Sequence, residues 1–72
     1  MKIYILQEEV PYEGIYFISV HKTIVGARRA MQRICKKMGL PKPHSIYNSP
    51  SYESWRPGSS ENEFVIQRTS LQ

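Results

Sequence analysis

Cysteine, glycine and long apolar runs are all scarce in this 72-residue chain, which has one Cys and four Gly. A lone Cys35 excludes an internal disulfide and points to a reducing compartment. On the flank of a helix it reads as a small buried hydrophobe rather than a reactive thiol. The opening MKIYILQEEV has a short apolar run that meets Gln7, Glu8 and Glu9, which fits neither a signal peptide nor a membrane span. The expectation is a soluble, unprocessed, cytoplasmic protein without a membrane partner.

Catalytic and ligand-holding patterns are missing as well. His21 and His44 stand far apart, with no Cys or Asp at ligand spacing, so no metal site is expected. Neither has a nucleophile and an orienting group to make it a general base. Glu8 and Glu9 are adjacent strand residues whose side chains diverge and do not form an acid pair. Glycine-rich phosphate loops and nucleophile elbows are absent. The chain therefore reads as a non-enzyme with no cofactor.

What the chain does have is concentrated in its middle. Between Lys22 and Lys42 lie seven of the ten basic residues and no acid, while all six glutamates fall outside. Within that stretch Ile24, Ala27, Met31, Ile34 and Met38 recur at steps of three and four, one apolar stripe of a helix over Thr23 to Gly39. Arg28, Arg29, Gln32, Arg33, Lys36 and Lys37 fill the opposite face. Thr23 is a suitable N-cap, Gly39 a suitable C′ residue, and Pro41 forbids resumption. Lys36 and Lys37 suit the negative end of the helix dipole. Gly26 weakens the helix by up to about 1 kcal/mol against alanine, which suggests close packing on the sheet.

Around the helix the pattern is extended. Ile3 to Leu6 and Ile15 to Val20 are β-rich runs joined by Pro11, Tyr12, Glu13 and Gly14, the chemistry of a hairpin turn. Glu63 to Leu71 alternates as a final strand. Leu40 to Ser60 contains Pro41, Pro43, Pro50 and Pro57 with many serines and the aromatics Tyr47, Tyr52 and Trp55. It predicts a long loop over 40–60, with Ser51 to Arg56 as a short edge strand at most. These elements predict one α+β domain over 1–72, ββα(β)β, with an antiparallel sheet of three or four strands and one helix packed on one face. Such a helix covers one side only, and the strands are apolar on both. The second side is expected to lie under the aromatic loop, in a homodimer, or against a partner.

Two binding readings follow. Tyr47, Tyr52, Trp55 and Arg56 belong to the residue types that dominate interface hot spots and lie close together on a proline-stiffened segment, which favours a protein partner. Arg28, Arg29, Arg33, Lys36 and Lys37 favour nucleic acid as the alternative, through phosphate contacts. The three aromatics would add base stacking.

The opening MKIYIL, the acidic hairpin after it, the strand ending at Ser19 to Lys22 and the Thr23 cap recur in a known setting. With the helix containing Gly26, Ala27, Ala30 and Met31 and the terminal EFVIQRTSL, they resemble small uncharacterised proteins carried by phages and prophages. The match covers the first forty residues and the last ten; Leu40 to Ser60 has no counterpart. The resemblance implies an accessory gene product that binds and modulates a host component, including defence systems. The expected function is thus a non-catalytic protein that binds a host macromolecule, foremost a host protein.

Overall fold

A computed structural model describes residues 1–70 and has the order β1 (Lys2–Val10), β2 (Gly14–His21), α1 (Ile24–Lys37), β3 (Pro43–Asn48), β4 (Tyr52–Pro57) and β5 (Glu63–Ser70). The five strands form one antiparallel sheet in the order β2-β1-β5-β4-β3, with the single helix on one side. The α+β class stands; the three- or four-strand count is corrected to five. The expected end of the last strand at Leu71 lies outside the described residues.

The correction comes from 40–60, which is two strands and not a loop. Pro43 opens β3, where a missing amide donor is tolerated, and β3 forms an outer edge. A bulge between Ser45 and Tyr47 breaks the alternation that would have announced a strand. Ser49 ties the following turn, its Oγ donating to the Tyr52 carbonyl and accepting from the amides of Ser51 and Tyr52. Of the three covers expected for the second side, the aromatic segment is not one: it widens the sheet instead. β4 is consequently internal, paired with both β3 and β5, and not an edge.

The helix forms where its sequence signals put it. Thr23 Oγ1 accepts from the Gly26 amide at 3.0 Å. Gly39 takes φ +72°. The Leu40 amide donates to Cys35 O at 2.8 Å and the Gly39 amide to Lys36 O at 3.2 Å, the paired bonds of a Schellman motif. A Cβ on Gly26 would sit 3.0 Å from Thr23 Oγ1 and 3.7 Å from a His21 ring nitrogen. The close packing expected on the sheet is instead against the Thr23 cap and His21, where β2 ends.

Ala27, Ala30, Met31 and Cys35 of α1 are buried against Leu6, Phe64 and Ile66, with Ile24 and Ile34 packed at the margin. Met38, expected on the stripe, is exposed because the helix has ended. β5 is the middle strand and supplies two of the largest buried side chains, Phe64 and Ile66. Cys35 is buried as expected; desolvation and the nearby Glu8 carboxylate both raise its thiol pKa.

Candidate functional site

Register decides which candidate residues share a surface. Leu6 pairs with Ile66, Glu8 with Phe64, Glu53 with Ile66 and Trp55 with Phe64, so these residues line the helix side. The alternate set, Ile5, Gln7, Val65, Gln67, Tyr52, Ser54 and Tyr47, faces the other side. A bulge at Leu6/Gln7 makes Ile18 the extra residue of β2 and sends it to the core. Beyond it Phe17 pairs with Gln7 and Ile15 with Glu9, while Val20 pairs with Ile5. A plain alternation would put Val20 opposite Phe17; the bulge brings them to one face.

On the helix side the most polar feature is a buried carboxylate. Glu53 is fully buried and accepts from Arg28 Nε at 3.1 Å and Arg28 Nη2 at 3.0 Å, a bidentate pair. Trp55 Nε1 donates to it at 2.6 Å and Arg68 Nη2 at 3.3 Å. The Arg28 guanidinium carbon also lies 5.8 Å from the centroid of the Trp55 ring. Burial alone raises the Glu53 pKa. The hydrogen bonds from Arg28 and Trp55, the Arg28 charge and the Arg68 bond outweigh it and hold the carboxyl below its ordinary value. Arg68 Nη1 also donates to the Ser49 carbonyl at 3.1 Å, leaving only its Nε buried without a partner.

This cluster divides both expected sites. Of the four residues expected on one contact surface, Trp55 lies on the helix side with its N–H bonded inward. Tyr47, Tyr52 and Arg56 lie on the other side, and Arg56 is ion-paired to Glu63. Tyr47 and Tyr52 stay together, ring centroids 5.1 Å apart. Of the five cations expected on the helix, Arg28 is bound to Glu53. Arg29, Arg33, Lys36 and Lys37 are exposed, with no carboxylate partner among the described residues. The expected meeting of cations with stacking aromatics does not occur: the sheet separates the tyrosine pair from the helix, and Arg28 sits over Trp55.

Glu53 and Arg68 carry the cluster and were not legible as a pair. A Glu–Ser–Trp alternation on β4 is their one sequence signal, since it puts carboxylate and indole on the same face. Among the described residues no group of three or more His, Cys, Asp or Glu is placed to hold a metal ion. His21 ends β2 beside Ser19 Oγ, at 2.7 Å, and His44, expected in a loop, lies on β3. A groove of about 290 Å³ at the C-terminal end of α1 is lined by Gln32, Cys35, Lys36, Leu40, Lys42 and Pro43. Among the described residues no helix is long and apolar enough to cross a membrane. No family model, curated protein or solved structure matches the chain.

Proposed function

We propose that the chain is a non-catalytic accessory protein, of the kind phages carry, that engages a host macromolecule through the outer face of α1, with nucleic acid as the partner class. The single observation behind this is the set Arg29, Arg33, Lys36 and Lys37, exposed and without carboxylate partners among the described residues, on a helix that carries no acid. From residue 29 to residue 37 the set spans about 12 Å of helix axis, a row that can follow consecutive phosphates. Lys22 and Lys42 extend the positive surface at either end. With no stacking platform beside it, binding is carried by charge and does not select sequence.

The test is a titration of labelled DNA and RNA oligonucleotides at two salt concentrations. Four phosphate contacts give a log–log salt slope of about −2.8 for single strands and −3.6 for duplex. Affinity then falls about 50- to 150-fold between 50 and 200 mM salt. Replacing Arg29, Arg33, Lys36 and Lys37 by alanine should abolish binding while leaving the core intact. Failure to retain any nucleic acid at low salt removes the reading.

A protein partner remains the second reading. What favours it is the uncovered sheet face bearing Tyr47 and Tyr52, which are 50% and 40% exposed and stacked together. Trp55 faces the helix and Arg56, though on the tyrosine side, is ion-paired to Glu63, so alanine at Tyr47 and Tyr52 is the variant that tests it in affinity capture from a bacterial host.

A further inference from the structure

We infer that a second copy of the chain covers the uncovered sheet face, sheet against sheet, in a twofold dimer. This rests on the sheet and stands apart from the helix-borne binding proposed above.

The face is too apolar to be left to water. Ile15, Phe17 and Val20 are 61%, 64% and 51% exposed, Tyr47 and Tyr52 are close behind, and half-buried Ile3, Ile5 and Val65 connect them across the middle strands. Isolated exposed side chains of this kind are ordinary; a continuous set spanning every strand of a sheet marks a contact surface. Between them stand Gln7, Gln67 and Thr69, which are uncharged. Charge on this face is confined to one end, where Glu9 and Glu63 pair across strands and Arg56 binds Glu63.

Three observations select a second copy as the occupant. First, charge: the chain carries a net +4, yet the centre of this face offers no ion for an acidic or basic partner to recognise. The complement of that centre must be another uncharged apolar surface, and the centre of the same face on a second copy is one. Second, the cations lie on the opposite side. Stacking two sheets about 10 Å apart puts both helices outermost, separated by more than the Debye length of about 8 Å at physiological salt. The net charge therefore does little to oppose association. Third, area: five strands spaced about 4.8 Å apart and averaging about 25 Å long present roughly 600 Å². Two copies bury roughly 1,200 Å², the lower end of the range for specific protein interfaces. Two twisted sheets pack well at a small angle, as in any sandwich. An isologous contact also closes on itself, which stops association at two.

The axis of such a dimer passes near the middle of the sheet. β5 is the third of five strands, and Gln67 and Thr69 are its exposed residues on this face, with Gln67 the nearer to its middle. Identical residues meet only along a twofold axis, and Gln67, exposed near the middle of the central strand, is a position where like side chains approach.

The experiment is sedimentation equilibrium of the intact chain from micromolar to submillimolar concentration, with variants. Wild type is expected to approach twice its 8.4 kDa mass. Phe17→Lys, at a position already 64% exposed, should weaken the dimer about tenfold or more while retaining cooperative unfolding by Trp55 fluorescence. Gln67→Cys should cross-link on oxidation, and Arg29→Cys on the outer face should not; Cys35 is buried and does not compete. A wild type that stays monomeric overturns the inference and returns the face to a foreign protein. A monomer that sediments with phosphatidylcholine vesicles overturns it in favour of a lipid surface. A dimer that tolerates Phe17→Lys or fails to cross-link at 67 overturns the face-to-face arrangement and points to pairing at the β2 edge. Loss of nucleic-acid binding with the dimer intact defeats the proposed function and leaves this inference standing.

Discussion

Glu53→Ala tests whether the buried cluster holds the sheet to the helix. The substitution leaves the guanidiniums of Arg28 and Arg68 without their anion and the indole N–H of Trp55 without its acceptor. Removing one member of a fully buried ion pair destabilises by about 3–5 kcal/mol. Here the cations are 34% and 27% exposed, so water recovers part of the loss and about 2–3 kcal/mol is expected. A chain of this length has roughly 4–11 kcal/mol of stability, and each kcal/mol moves Tm by about 4–8 °C. The variant should melt about 8–24 °C lower. Denaturant unfolding followed by fluorescence is the assay, since Trp55 is the sole tryptophan and reports on the cluster itself. Glu53→Gln keeps the shape and one acceptor and should lose less. Glu61→Ala, exposed and in none of the ion pairs, is the control. If Glu53→Ala unfolds within about 0.5 kcal/mol of that control, the carboxylate is not an organising contact and the reasoning fails. Replacing Arg28, Glu53 and Arg68 together by apolar residues of similar volume should be far milder than the single change, because no orphaned charge is left behind.

Acid should act on the same group. The folded pKa of Glu53 is depressed, so its contribution is complete above the ordinary glutamate value of about 4.3 and is lost as pH falls through the lower folded value. Urea midpoints measured through this acid range should decline in wild type and more shallowly in Glu53→Gln; parallel slopes would refute the assignment. Tyr12 sits at φ +66° after Pro11 in a turn closed by the Glu13 amide on Val10 O at 3.1 Å, a type II arrangement that favours glycine there. Its side chain is fully exposed, so Tyr12→Gly should stabilise by about 0.5–1 kcal/mol in thermal unfolding, and a loss would show that the ring makes a contact. Gly58→Ala should destabilise by about 1–2 kcal/mol, because φ is +57° and a Cβ would lie 2.9 Å from Pro41 Cγ; an unchanged Tm would mean the turn shifts freely.

The helix and the hairpin were legible because their signals are local. Thr23, Gly39 and the three-four spacing act within a few residues, and the hairpin turn is written in four consecutive positions. β3 was not legible, for the same reason in reverse. Pro43 and a bulge erase its short-range alternation, and only pairing with β4 makes it a strand. Which candidate residues share a surface is decided at longer range still. Arg28 looks identical to Arg29 in sequence, and what separates them is a carboxylate twenty-five residues away that the sheet brings beneath one of them. Trp55 and Arg56 are neighbours in the chain, yet a strand sends neighbours to opposite faces. A loop over 40–60 with at most an edge strand at Ser51 to Arg56 leaves the four anchors close in sequence, and sequence distance alone groups them. Once β4 exists, period two divides them.

That same division sets what the two surfaces can do together. The cations that remain free lie on the outer side of α1, and the apolar face lies on the far side of the sheet, so neither surface has to be given up for the other to be used. A sheet-to-sheet dimer turns its two helices away from each other. Both cannot therefore lie along one straight duplex, and linking them adds no avidity on a single rigid target. Each helix would instead take a separate strand or a separate bend of the same strand. If both proposals hold, affinity per helix would be set by its cations and the salt, and the dimer would change how many nucleic-acid segments are held, not how tightly one of them is held.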